Sequence, residues 1–173
     1  MRNRLRSSKL IFILISFAFF LVIAFLLYNS WQNHKLDGID GWLFSLFTIE
    51  DTMYSKDYSD DKFEKIKIGM PSELVIDLLG KPLEEAWYYK AECGLAGISL
   101  KNDIVYDISM DSKIQSNKIK VGMQKDAVIK AIGPPLKEIW FYSESPESKS
   151  YSERTIILKN AKVSEIIHEY YVD

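Results

Sequence analysis

The chain has 173 residues, of which 47% are hydrophobic and 27% are charged, and its formal net charge is −2. This length allows one domain of ordinary size, or two very small ones, beside any targeting segment. Residues 1–9 contain four cations and no acid, and residues 10–28 carry no charge. Because the whole chain has a net charge of −2, the part after residue 28 has a formal charge of −6. An acidic domain repels phosphate backbones, which argues against nucleic-acid binding. The single cysteine, Cys93, excludes an intramolecular disulfide.

The first predicted element is a transmembrane helix over residues 10–28, a run without a single charge. Nineteen helical residues rise about 28 Å, close to the roughly 30 Å hydrocarbon core of a bilayer. A cleaved signal peptide is the alternative, but its apolar region is usually about 7–15 residues long and ends in small residues. Because the run here ends in Tyr28-Asn29-Ser30-Trp31, an uncleaved signal anchor is favoured.

The basic tail, residues 1–9, sets the expected orientation of this anchor. It carries Arg2, Arg4, Arg6 and Lys9 and no acid, and such positive flanks stay on the cytoplasmic side. The expected location is therefore the inner (cytoplasmic) membrane, single-pass, with the C-terminal domain periplasmic or extracellular.

Residues 29–62 are predicted to be a juxtamembrane segment followed by an acidic linker. Apolar and aromatic residues between Trp31 and Phe47 fit either a short amphipathic piece on the membrane surface or a segment packed onto the folded domain. Residues 49–62 contain five acids and little apolar content, which is typical of a solvated linker.

An internal repeat begins at residue 63 and divides the rest of the chain into a first unit, 63–112, and a second, 113–173. Glycine, methionine and proline positions of the first unit recur 53 residues later in the second. The motif residues are Gly69, Met70, Gly80 and Pro82 in the first unit and Gly122, Met123, Gly133 and Pro135 in the second.

Each unit is predicted to hold a helix followed by a three-stranded antiparallel meander, which makes the fold class α+β. Apolar residues such as Val75 and Leu79 recur at helical spacing, and Gly80 suits a left-handed C-terminal cap. Aromatic and β-branched runs follow, and Asn102 and Asn160 suit tight turns between strands. One unit of about 50 residues is marginal alone, so the two are expected to share a sheet with the helices on one face.

The pattern I-x-x-G-M-x-x-x-x-V-x-x-x-x-G-x-P, followed by aromatic strands, resembles the SmpA/OmlA (BamE-like) family of envelope proteins. Its tandem arrangement resembles the β-lactamase inhibitor protein, in which two helix-plus-sheet units form a concave sheet that grips an enzyme. The resemblance covers residues 63–171. It implies a protein-binding fold, although this chain has a helix in place of a lipid-bearing cysteine.

The chemistry-bearing side chains do not form a catalytic or metal-binding pattern. His34 and His168 belong to no cluster with metal-ligand spacing. No base lies near Cys93 in the sequence, and the glycines form no phosphate-binding loop. The sequence therefore predicts no enzyme, no cofactor, no metal and no small-molecule substrate.

Aromatic residues at equivalent positions of the two units are the candidate partner-binding residues. Because side chains alternate along a strand, Trp87, Tyr89, Trp140 and Tyr142 are expected to face one way, and Tyr88 and Phe141 the other. One of the two sets is expected to pack on the helices and the other to lie on the open sheet face. The candidates are Trp87, Tyr88, Tyr89, Trp140, Phe141 and Tyr142.

The predicted function is a membrane-anchored, extracytoplasmic protein–protein interaction module that serves cell-envelope assembly or maintenance. The alternative is an inhibitor or immunity protein that neutralises a toxin or hydrolase. Either function requires another protein as partner, in addition to the membrane contacted by residues 10–28.

Overall fold

A computed structural model describes residues 2–91, 94–109, 118–147 and 149–172. The fold is α+β, with an N-terminal apolar helix and antiparallel sheets. The first helix, α1, spans Arg2–Asn33, and its stretch Phe12–Asn33 is long and apolar enough to cross a membrane. None of that stretch is buried within the protein. A short 3-10 turn, Lys35–Asp37, connects α1 to α2, Gly38–Ser45.

Among the described residues, three short helices and eight strands follow. The helices are α3, Asp60–Phe63; α4, Ser72–Leu79; and α5, Lys125–Ile132. The strands are β1, Met53–Tyr54; β2, Glu84–Ala91; β3, Gly94–Lys101; β4, Ile104–Ser109; β5, Lys137–Phe141; β6, Ser143–Glu144; β7, Tyr151–Lys159; and β8, Lys162–Tyr171.

Six strands form one antiparallel sheet in the order β4-β3-β2-β5-β7-β8, and β1 pairs with β6 in a separate ribbon. The expected three-stranded groups are therefore parts of a single six-stranded sheet, because β2 pairs with β5 from Glu84↔Phe141 to Tyr88↔Lys137. The turns β3–β4 and β7–β8 each hold two residues with positive φ, at 54° for Asn102 and 52° for Asn160. Such residues match the right-handed twist of the flanking strands.

Both predicted helix ends are where the sequence places them. Gly80 and Gly133 follow α4 and α5 with φ of 72° and 84°, a conformation that side-chain-bearing residues rarely adopt. Their ψ values are extended rather than left-handed helical, so each glycine turns the chain sharply toward the sheet.

Each helix packs on the half of the sheet that follows the other helix. Val75 and Leu79 of α4 lie in a core with Trp140, Tyr142, Ile156, Leu158 and Val163, from β5 to β8. Val128 of α5 lies in a second core with Trp87, Tyr89, Ile98, Leu100 and Val105, from β2 to β4. Reciprocal backbone bonds accompany this crossing: Gly69 N donates to Val163 O at 2.8 Å, and Gly122 N donates to Val105 O at 2.7 Å. The two halves therefore depend on each other for their cores.

Residues 49–62 are not a solvated linker. Glu50 bridges to Ser150, β1 pairs with β6, and Ser55 N donates to Tyr142 O at 2.9 Å. Three of the acids that predicted a linker, Glu50, Asp51 and Asp60, instead accept hydrogen bonds, as Asp51 does from Ser145 Oγ and Glu147 N. The segment is a folded part of the domain.

Candidate functional site

The six aromatic candidates divide between the two faces of the sheet. Trp87, Tyr89, Trp140 and Tyr142 face the helices and are at most 8% exposed. Two of them form hydrogen bonds that connect the two halves: the Tyr89 hydroxyl donates to Gly133 O at 3.3 Å, and the Tyr142 hydroxyl donates to Gly80 O at 3.1 Å. These four are core residues and do not contribute to an open surface.

Tyr88 and Phe141 lie on the face opposite the helices and are half-buried. Lys137 Nζ lies 5.7 Å from the centroid of the Tyr88 ring. Pairing of Phe141 with Thr155, and of Tyr151 with Tyr171, places alternate residues of β7 and β8 on the same face. The open face therefore continues from β2 to β8.

A cavity of about 400 Å³ lies on this open face. Tyr151 and Tyr171 form one wall, with ring centroids 5.5 Å apart. Sequence reasoning missed both tyrosines, although alternation along β7 and β8 places them on the Phe141 face. This cavity, the groove, is lined by Glu84, Phe141, Ser143, Glu144, Ser145, Lys149, Tyr151 and Tyr171.

The lining of the groove carries two acids, Glu84 and Glu144, and one cation, Lys149, which pairs with Glu147. Glu84 accepts a hydrogen bond from the Tyr106 hydroxyl, and burial raises the pKa of that phenol to about 12. Lys101 Nζ lies 3.2 Å from Glu144 Oε2. Glu153, Glu165 and Glu169 alternate along β7 and β8 on the same face. Aromatic walls with an acidic rim suit a partner that presents basic and apolar atoms together.

The turn beside the groove, which contains Ser145 and Glu147, is held in place by hydrogen bonds. The Asp51 carboxylate accepts bonds from Ser145 Oγ and, at 2.8 Å, from Glu147 N. Lys149 N donates to Ser145 Oγ at 2.7 Å. This part of the 143–150 loop is therefore pre-ordered, which lowers the entropy cost of any contact it makes.

A second cluster connects the apolar helix to the domain. Arg154 and the Asp37 side chain are fully buried, and Arg154 Nη1 lies 2.6 Å from Asp37 Oδ1. Ser152 Oγ donates to Asp37 Oδ2 at 2.9 Å, and Arg154 Nε donates to the Tyr58 hydroxyl at 3.0 Å. His34 completes the cluster, with its Nδ1 3.2 Å from Asp37 Oδ2. We call these residues the anchor cluster: His34, Asp37, Tyr58, Ser152 and Arg154.

Hydrogen bonding outweighs burial in the anchor cluster. Burial alone would raise the pKa of Asp37, but the bonds from His34 and Arg154 lower it below its usual value. The bond to Asp37 raises the pKa of His34 above 6.5, against the opposing effect of burial. At neutral pH the cluster therefore holds an ionised Asp37 between two groups that donate to it.

His34 is expected to titrate at a higher pH than an isolated histidine, and Asp37→Asn should lower its pKa. Because the folded pKa is raised, the stabilisation by protonated His34 is fully present below pH 6.5. It is lost as the pH rises through the folded value. NMR titration of the imidazole Cε1–H resonance measures this, with His168→Gln to assign the chain's two histidines. An unchanged His34 pKa in Asp37→Asn would contradict the assignment of Asp37 as its main partner.

Two glutamates lie on the helix-facing side of the sheet beside the buried tryptophans. Glu85 accepts from Trp87 Nε1 at 2.9 Å and from Lys125 Nζ at 2.7 Å. Glu138 accepts from Trp140 Nε1 at 3.1 Å. Burial, followed by the charge of Glu85, raises the pKa of Glu138, and the Trp140 bond only partly opposes this. These glutamates are structural groups within the core.

Within the described residues, no three His, Cys, Asp or Glu side chains are grouped so as to hold a metal ion. His168 Nδ1 lies 2.8 Å from Leu36 O, next to the turn after α1. Cys93 lies outside the described residues.

No family model, no curated protein and no solved structure matches this chain.

Proposed function

We propose that this protein is a membrane-anchored protein–protein interaction module whose partner binds at the groove. The proposal depends on one observation: Tyr151, Tyr171 and Phe141 lie beside acidic residues on the open face of the sheet. Tyrosine is enriched in protein interfaces because it offers a large apolar ring and a polar tip. The acidic rim makes a basic side chain of the partner the expected contact.

The proposal extends to location. The helix Phe12–Asn33 serves as an uncleaved anchor in the cytoplasmic membrane, and the basic residues before it keep the N-terminus in the cytoplasm. The domain then lies in the periplasmic or extracellular space. Envelope assembly or maintenance is the process that a tethered binding domain there would serve.

The two halves are proposed to be copies of one repeat of the BamE-like type. Support comes from the glycines spaced 53 residues apart and from the similar φ of Gly69 and Gly122, at 85° and 88°. The reciprocal bonds of these glycines to Val163 and Val105 have nearly equal lengths, 2.8 and 2.7 Å. Duplication of a unit followed by exchange of helices accounts for this correspondence.

One observation favours the alternative, an inhibitor or immunity protein. The turn that contains Ser145 and Glu147 is pre-ordered by Asp51 at the mouth of the groove. Inhibitors that bind enzymes tightly usually present rigid contact segments, because little entropy is lost on binding. A toxin or hydrolase would then be the partner that occupies the groove.

Affinity capture with the full chain in mild detergent tests the proposal. The double variant Tyr151→Ala/Tyr171→Ala is expected to lose the partner that the unchanged chain retains. Leu74→Ala is the matched control, because Leu74 is an exposed apolar residue, at 49%, on the helix side. Retention of the partner by both variants would contradict binding at the groove.

The identity of the captured protein separates the two functions. Envelope-assembly subunits support the module, whereas one secreted toxin or hydrolase supports the inhibitor. Charge reversal by Glu144→Lys should weaken capture of a basic partner, and raised salt should weaken it in the unchanged chain. Recovery of no groove-dependent protein would count against the interaction proposal as a whole.

A further inference from the structure

A stripe of large apolar side chains lies exposed just after α1. Ile39 and Leu43 of α2 are 64% and 44% exposed, and Phe47, two residues after α2, is 86% exposed. Ile39 and Leu43 are one helical turn apart and project to the same side. Exposed apolar patches on folded domains usually mark a contact with a membrane or another protein.

The opposite side of α2 is fixed to the domain. Gly41 lies so close to β8 that a Cβ there would be 2.8 Å from Tyr170 Cβ. Asp37, immediately before α2, is bonded to the buried Arg154. Because α2 is docked through its Gly41 side, its apolar stripe has a fixed direction relative to the sheet.

The depth of α2 follows from its contacts with the end of α1. Trp42 Nε1 donates to Ser30 Oγ at 3.2 Å, and the Trp31 and Trp42 rings meet edge to face at 5.7 Å. Ser30 lies two residues after the uncharged run 10–28, which is about 3 Å along a helix. Tryptophans concentrate at this level, where the apolar core of a bilayer meets the headgroups.

We propose that α2 and the turn after it form an interfacial collar that lies in the outer surface of the lipid bilayer. The apolar stripe of this collar, Ile39, Leu43 and Phe47, inserts among the acyl chains. Close packing at Gly41 keeps the opposite side of α2 in contact with the domain. This inference depends on the proposal that α1 spans the membrane. Residues 38–48 contain no basic residue and one acid, the exposed Asp40, while Asp37 is buried and Lys35 pairs with Glu64 at 2.8 Å. The lipid contact is therefore apolar and does not depend on anionic headgroups.

The collar orients the binding face. The turn before α2 and α2 itself contact His168 and Tyr170 of β8, and both residues lie on the helix-facing side of the sheet. The groove lies on the opposite face of the same sheet. A partner therefore approaches the groove from the side of the sheet that faces away from α2.

Collision accessibility of spin labels tests the collar in the full chain reconstituted in phosphatidylcholine bilayers. Serine replaces Cys93, the single native thiol, and one cysteine is introduced at a time. Phe47→Cys reports on the collar and Phe20→Cys on α1. Ile104→Cys is the matched control, an exposed apolar residue, at 39%, on β4. Oxygen, which partitions into lipid, and a water-soluble nickel chelate are the two probes.

The expected result is an oxygen-to-chelate ratio several-fold higher at Phe47 and Phe20 than at Ile104, unchanged by anionic lipid. A chelate-accessible Phe47 beside an oxygen-accessible Phe20 would overturn the collar and leave the anchor intact. Protection of Phe47 from both probes would show that a second copy or another protein covers the stripe, which also overturns the lipid assignment. A chelate-accessible Phe20 would overturn the proposed anchor and the collar with it.

Discussion

Replacing Arg154 with methionine is expected to lower the free energy of unfolding by about 3–5 kcal/mol, the usual cost of removing one partner of a buried ion pair. The Asp37 carboxylate would remain buried without the bond that its 2.6 Å partner supplies. When it is protonated, His34 still supplies a positive charge beside Asp37. The loss should therefore be smaller at pH 6 than at pH 8.

Chemical unfolding of the detergent-solubilised full chain, followed by near-ultraviolet circular dichroism, measures this change. Lys35→Met is the matched control, because Lys35 and Glu64 form an exposed pair, which should contribute little. The double variant Asp37→Asn/Arg154→Met should lose less than the sum of the two single variants, since neither buried charge remains. Additive losses would show that Asp37 and Arg154 do not act as a pair.

The positions of the strands and the helix ends could be predicted from the sequence because local rules govern them. Alternation and β-propensity placed the strands, and Gly80 and Gly133 marked helix ends that the structure confirms by their positive φ. The same alternation predicted that Trp87 and Phe141 would face opposite sides. These features depend on neighbours close in the sequence.

The anchor cluster and the groove depend on contacts that no local pattern reveals. Asp37 and Arg154 are 117 residues apart, and acids near a membrane anchor are more often solvated than buried. Residues 49–62 resemble a linker by composition, yet Asp51 and its neighbours are bonded to a distant turn. Crossed packing of α4 and α5 is likewise invisible to helical periodicity, which shows an apolar face but not its partner.

Two glutamates 53 residues apart are expected to respond in opposite directions to the same substitution. Glu85→Gln should destabilise the protein by about 1–3 kcal/mol, because it removes the charge that Lys125 pairs with at 2.7 Å. Glu138→Gln should stabilise it at pH 7. Glutamine keeps an acceptor for Trp140 Nε1 and removes a carboxylate whose charged form burial disfavours.

The pH dependence separates this explanation from a simple packing effect. The folded pKa of Glu138 is raised above 4.5, so the unchanged chain loses stability as the pH rises from about that value through the folded pKa. The advantage of Glu138→Gln should therefore be present at pH 7 and disappear below pH 4.5. The same unfolding measurement at both pH values decides the matter, and an advantage independent of pH would contradict the charge argument. Because Glu85 and Glu138 each accept from a tryptophan two residues later, Lys125 is the difference that gives the two substitutions opposite signs.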